Sequence, residues 1–176
     1  MRTEYLLQHE VDGILALLTP KNALVMRTIM HTGLRIGDVL ALRTAQLAPH
    51  FWITEGKTKK RKQVGLPEPL LSDLKEHAGE EWVFPGRKPG KPHTRQAVWK
   101  DVKRAAEAMR LPQNVGTHSG RKVYAVDLLQ KYGDIDRVRR ALNHSSIEVT
   151  MIYALADLRL QSKKGRRRSA AGRKKV

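Results

Sequence analysis

HTGLRIGDVLALR, residues 31–43, is the stretch on which the reading of this chain turns. Gly33 breaks an apolar run, and a new helical pattern opens near Ile36 with Val39, Leu40 and Leu42 apolar. Arg35 stands at that break, where its side chain and the start of a helix can face the same anion. Asp38, three residues on, is placed to brace the guanidinium. Taken alone, the plainer reading is a surface arginine with a salt-bridge partner.

Upstream, residues 10–18 place Val11, Ile14, Leu15 and Leu18 on one helical face, and residues 23–30 form an apolar run with Asn22 as the expected N-cap. Downstream the period changes. FWIT (51–54) is β-prone, the very basic GKTKKRK (56–62) follows, and QVGLP (63–67) resumes a strand pattern, which predicts a hairpin with cations crowded at its turn. A helical pattern returns over 69–77. The Gly- and Pro-rich segment 85–93 is expected to be a mobile loop, and Thr94 to cap a helix running to about Met109. After a break at 112–116, helices are expected over 118–132, 135–142 and 147–155. The fold class is mainly α with a small antiparallel β-sheet.

The chain has 176 residues, enough for one domain with its own core, and no cysteine, which excludes disulfides and thiolate metal sites. No stretch has the apolar length of a membrane span or the pattern of a signal peptide. A cytoplasmic or nucleoid-associated location fits best. Thirty-four Lys and Arg stand against seventeen Asp and Glu, a formal charge of +17. That excess favours a polyanion such as a phosphate backbone, although a solubilising surface carries the same sign. Residues 159–176 hold nine of the cations and no acid, so they are expected to be a basic tail that orders only on binding, following a domain over 1–158.

Three further segments concentrate chemistry-bearing side chains. The basic turn offers Lys57, Lys59, Lys60, Arg61 and Lys62, any of which can reach a phosphate, though such turns are usually only solvated. In THSGRK (117–122), His118 and Arg121 share a helical face at i and i+3 and can address one ligand. In LNHSSIEVTMIY (142–153), His144 lies at a helix end and Tyr153 nine residues beyond it. A lone His or Tyr is more often structural; the combination and order of the four segments is what carries weight.

In that order the segments resemble the catalytic domain of tyrosine recombinases, the phage-type integrases. HTGLRIGDVLALR is similar to the family's first-arginine motif, GKTKKRKQVGLP to its lysine hairpin, THSGRK to its H-x-x-R element and LNHSSIEVTMIY to its tyrosine terminus. The resemblance runs from about Glu10 to Ala154. It departs from the pattern at Ser119-Gly120, where Asp-Leu is usual, at Asn143 in a common Gly position, and at Gly65, where valine-proline is frequent. The helical DNA-clamping domain that usually precedes this region is not in the sequence, so a piece of a longer protein or a solitary-domain relative is expected.

The resemblance implies a site-specific recombinase that cuts and rejoins DNA without metal, ATP or other cofactor. Arg35 and Arg121 would grip the non-bridging oxygens, Tyr153 attack phosphorus, and Lys57 protonate the leaving 5′-oxygen, with Lys59 and Lys60 left open for that role. His118 would take or orient the tyrosine proton and His144 donate to the phosphate. DNA contacts are expected from Lys59, Lys60, Arg61, Lys122, Arg166, Arg167 and Arg168, although the tail after Tyr153 fits equally a dock onto a neighbouring subunit of the homotetramer expected to assemble on double-stranded DNA. Tyr124 and Tyr132, on the Arg121 helix, and Tyr5 compete poorly as nucleophile. The alternatives are a type IB topoisomerase, a DNA-binding regulator that keeps the fold, and a basic RNA-binding protein, which explains the charge but not the motif order.

Overall fold

A computed structural model describes residues 6–143. Among them the elements run α1 (Gln8–Leu17), α2 (Pro20–Thr32), α3 (Ile36–Leu40), a 3-10 turn (Thr44–Gln46), β1 (His50–Thr54), β2 (Arg61–Gly65), α4 (Glu68–His77), α5 (Arg95–Ala108), α6 (Thr117–Tyr132) and α7 (Ile135–Ala141). The expected fold class is the observed one. Contacts divide the chain into two compact units, Met1–Tyr124 and Ala125–Val176, with the boundary inside α6. The helix expected over 147–155 and the basic tail lie outside the described residues.

In the first unit α2 is the hub, touching α1, α3, α4 and α5. Its sequence explains why. Leu24, Val25, Met26 and Ile29 are all buried, and each fully buried side chain of this size contributes about 1.5–3 kcal/mol relative to exposure. Two hydroxyls buried among them are satisfied within the helix: Thr28 Oγ1 donates to Leu24 O at 2.8 Å and Thr32 Oγ1 to Thr28 O at 2.6 Å.

Asn22 does not cap this helix. Pro20, whose fixed φ and missing N–H suit a first helical position, starts it three residues earlier than expected, with Thr19 as the cap residue. Asn22 is buried instead, donating from Nδ2 to Asp101 Oδ2 at 2.7 Å, with a His93 ring nitrogen 2.9 Å from its Oδ1. Burial works against the Asp101 charge, but hydrogen bonds from Asn22, Thr19 and Arg104 hold the carboxyl down to about 2. The network ties the start of α2 to α5 and to segment 85–93. That segment is not the free loop expected from its composition. Gly86 N–H donates to Lys91 O at 2.8 Å, His93 N–H to Phe84 O at 2.7 Å and Lys21 Nζ to Pro85 O at 2.8 Å. Its backbone groups have found partners, which is what a glycine- and proline-rich composition cannot announce.

The hairpin pairs β1 and β2 antiparallel, with His50 opposite Gly65 and Thr54 opposite Arg61. Phe51, Ile53 and Val64 point into the core. The strand resumes at Arg61, two residues earlier than the sequence suggests, so the basic turn is shorter and Lys62 belongs to the sheet. As expected, Thr94 caps α5, its Oγ1 accepting from Ala97 N–H at 3.2 Å. No helix among the described residues is long and apolar enough to cross a membrane.

Candidate active site

The site is organised by the end of α2. Gly33 terminates the helix at φ 64°, a left-handed conformation that glycine adopts without penalty, and its N–H donates to Ile29 O at 2.8 Å. A Cβ here would come within 2.4 Å of the Tyr124 ring, so the position has room for no side chain. The chain then runs through fully buried Leu34 to Arg35, the residue that precedes α3. With only five residues, α3 adds little helix-terminal field, so Arg35's own guanidinium carries the local positive charge.

Asp38 does not brace that guanidinium. Arg35 NH1 instead donates to Glu55 Oε2 at 2.8 Å, and the Glu55 side chain is fully buried. Asp38 Oδ1 accepts from Gly56 N–H at 2.8 Å, so it pins the hairpin turn to α3. The same Glu55 oxygen accepts from Thr58 Oγ1 at 2.6 Å. Backbone bonds close the turn, Glu55 N–H to Lys60 O at 3.0 Å and Lys59 N–H to Glu55 O at 2.9 Å, with Lys59 at φ 57°. The first-arginine segment and the lysine hairpin are therefore locked together by two carboxylates.

On the neighbouring strand, Lys62 is half-buried and its Nζ donates to Thr32 O at 2.9 Å. Desolvation first, then the Arg121 charge, lowers its pKa to about 8; Arg35 acts in the same direction, and Glu55 and Asp38 oppose them. Arg121 comes from α6, is buried, and donates from NH1 to Gly33 O. The unusual residues before it explain its placement. Ser119 Oγ, fully buried, accepts from Gly116 N–H at 3.3 Å at the start of α6. Gly120 faces α2, where a Cβ would lie 3.1 Å from Ile29 Cγ2 and 3.3 Å from Met26 Cε. Large side chains on α2 fill the space that a leucine on α6 would take, so the helices approach closely and Arg121 reaches the α2 terminus.

His118 is exposed one turn before Arg121. Partial desolvation, followed by the charges of Arg121, Arg35, Lys57 and Lys122, holds its pKa below 6.5, so the ring is neutral at neutral pH. It lines an open cleft of about 860 Å³ together with Arg35, Asp38, Lys57, Arg61 and Arg95. Arg61 also stacks over Trp52, 4.8 Å from the ring centroid. Cations outnumber carboxylates here, and a neutral imidazole, three guanidiniums and an ammonium on a turn form a constellation able to bind a phosphodiester and move its protons.

Of the residues singled out from sequence, Arg35, Lys57, Arg61 and His118 thus share one cleft, and Arg121 is buried at the adjoining Gly33 carbonyl. Lys59 and Lys60 are exposed on the turn and do not line it, and Lys122 is half-buried on α6. His144, Tyr153, Arg166, Arg167 and Arg168 lie outside the described residues. The sequence reading gave no role to Glu55 or Arg95, and took Lys62 for a turn cation. A signal for two of these was present: Glu55 continues the inward parity of Phe51 and Ile53, and Lys62 shares the parity of Val64.

A protein of Bacillus subtilis strain 168 named "Probable integrase/recombinase YoeC" is 34% identical over 130 residues, covering 70% of this chain and 71% of its own length. The tyrosine recombinase XerD of Staphylococcus saprophyticus is 29% identical over 167 residues, 82% of this chain and 56% of that one. The crystal structure of the XerH site-specific recombinase in a post-cleavage complex with a palindromic difH substrate superposes with a TM-score of 0.72 at 25% identity. It covers 92% of this chain and 52% of XerH. The chain thus spans about half the length of the XerD and XerH chains. Residues 4–158 match the sequence pattern of the phage integrase family, and with the arginine, lysine and histidine segments gathered around one basic cleft, the chain belongs to that family of tyrosine recombinases.

Proposed function

We propose that this chain is the catalytic part of a site-specific DNA recombinase, working through a 3′-phosphotyrosine intermediate. A phosphodiester resists attack because its charge repels nucleophiles and its leaving alkoxide is strongly basic, so catalysis needs neutralisation, a positioned nucleophile and a proton donor. Arg35 and Arg121 neutralise the non-bridging oxygens, their planar guanidiniums suiting bidentate contact. The Tyr153 oxygen attacks phosphorus and its proton passes toward His118, whose neutral ring is able to accept it. The bond to the 5′-oxygen breaks, and Lys57 supplies the proton that leaves a 5′-hydroxyl. His144 donates to the phosphate. Because the ester bond energy is kept in the phosphotyrosine, a new 5′-hydroxyl reverses the step without ATP, and no step calls for a metal.

The observation that carries this reading is the cleft shared by Arg35, Lys57 and His118, three residues distant in sequence. Residues 1–158 act as the catalytic domain on this reading, and the cations of 159–176, with Lys59, Lys60, Arg61 and Lys122, contact duplex DNA. The resemblance to tyrosine recombinases further supports a homotetramer assembled on the DNA. Incubation with a nicked, random-sequence duplex library, in which the cleaved end diffuses away, should accumulate a covalent protein–DNA adduct. Tyr153→Phe should bind DNA and accumulate none; an undiminished adduct in that variant rejects the assignment.

A further inference from the structure

Glu55 is a carboxylate in a place where elementary energetics disfavours one. Its side chain is fully buried, and a buried charge is tolerated only when paired and hydrogen-bonded. Its Oε2 receives both Arg35 NH1 at 2.8 Å and Thr58 Oγ1 at 2.6 Å. These partners belong to two different pieces of the site: Arg35 to the α2–α3 junction, and Thr58 to the turn residue directly after Lys57. Asp38 makes a parallel tie to Gly56, on the other side of Lys57. The general acid assigned above is therefore flanked by two residues held by acidic side chains, and one of those side chains also grips the arginine.

We propose that Glu55 is a positioning residue for the cleavage step: its buried carboxylate sets the Arg35 guanidinium and the Lys57-bearing turn in register with each other, so that phosphate neutralisation and proton delivery are presented together. The proposal rests on the recombinase reading and adds to it a residue that neither contacts DNA nor transfers a proton. One Arg35 nitrogen is committed to Glu55, and the rest of the fork remains for a phosphate oxygen. The same oxygen that orients the arginine accepts the Thr58 hydroxyl, so a disturbance at Glu55 reaches both halves of the site, while one at Thr58 reaches only the turn.

That asymmetry supplies the test. Single-turnover cleavage is measured for the full chain, Glu55→Gln and Thr58→Val, on nicked duplexes carrying either an ordinary phosphodiester or a 5′-bridging phosphorothiolate. The thiolate leaves without needing a proton donor. On the ordinary substrate, Glu55→Gln is expected to cleave about 10²-fold more slowly, the size of losing one oriented charge-stabilising donor. Thr58→Val should be about 5-fold slower, the size of one hydrogen bond. On the phosphorothiolate, Thr58→Val should recover the native rate and Glu55→Gln only part of it, because Arg35 stays misplaced. DNA affinity should change less than about 3-fold in both, since neither side chain touches phosphate.

A purely structural glutamate would lower the active fraction and the melting temperature without a substrate-dependent rate. If the native chain traps an adduct and Glu55→Gln cleaves within about 2-fold of it, or if the two substrates respond alike, the positioning role is overturned. Should Glu55→Gln fail to fold, Thr58→Val decides alone, and a native rate on the ordinary phosphodiester overturns the role. A native chain that forms no adduct on either substrate rejects the recombinase reading itself.

Discussion

Lys62 and Arg121 hold adjacent carbonyls of one helix end: the lysine donates to Thr32 O and the arginine to Gly33 O. The last carbonyls of a helix lack intrahelical partners and carry partial negative charge, so cations are favoured there. Two of them in one place also repel. Lys62 accordingly sits at a pKa of about 8, against 10.5 for the free side chain, desolvation being the larger cause and Arg121 the next. Between those values the unfolded chain binds the proton and the folded chain does not. Stability should therefore rise with pH across the window from about 8 to 10.5, by on the order of 1–2 kcal/mol for a half-buried group. Urea denaturation at stepped pH should show this rise, and Lys62→Met should flatten it; an equal rise in the variant assigns it elsewhere.

His118 titrates low because its ring is partly desolvated and faces four cations. The acid limb of the cleavage rate should accordingly lie below pH 6.5, since the ring must be neutral to accept the tyrosine proton. Removing one of the cations, as in Lys57→Met, should move the His118 titration upward in an NMR experiment on the ring protons. An unmoved titration would mean that the electrostatic coupling between turn and α6 is absent.

Gly33→Ala should destabilise the chain by roughly 2–4 kcal/mol, through a strained left-handed backbone together with a methyl driven into the Tyr124 ring. Chemical denaturation measures this directly. A destabilisation under about 0.5 kcal/mol would show that the helix end and Tyr124 relax freely.

The two arginines should each act on cleavage and on stability. Arg35→Ala should slow cleavage by about 10²–10³-fold and destabilise the fold by about 3 kcal/mol, because it leaves the buried Glu55 carboxylate without its ion pair. Arg121→Ala should slow cleavage comparably and also cost about 1–3 kcal/mol in stability, because it removes the buried donor from the Gly33 carbonyl. Native stability of Arg121→Ala would contradict the assigned structural role of Arg121.

The basic tail gives a binding prediction. Deleting residues 159–176 removes nine cations. If they lie along the DNA, the slope of log affinity against log salt should become shallower by about 0.9 for every phosphate that is no longer neutralised. An unchanged slope shows that the tail does not touch the backbone.

The segments that form the site were legible in the sequence because each carries a local signature: a glycine at a helix break before Arg35, a cation-dense turn between β-prone runs, and an i, i+3 pair in His118 and Arg121. What joins them was not. Asp38 looked like the partner of Arg35 because it is three residues away, whereas the bond goes to Glu55, twenty residues on, across a hairpin whose register only folding defines. Lys62 hid among four other cations until the strand was seen to begin at Arg61. Both residues occupied inward-facing positions of a period-two pattern, and a charge at an apolar position is the mark to look for. Asn22 misled differently: it has a good capping side chain, but Pro20 was free to start the helix, and the buried amide had Asp101 to bind.

Peptide mapping of the trapped adduct tests the central claim most directly. After nuclease and protease digestion, mass spectrometry should find a nucleotide joined through its 3′-phosphate to the peptide containing Tyr153, with a free 5′-hydroxyl on the released strand. A nucleotide on Tyr124, Tyr132 or Tyr5, or one attached through a 5′-phosphate, would contradict the account.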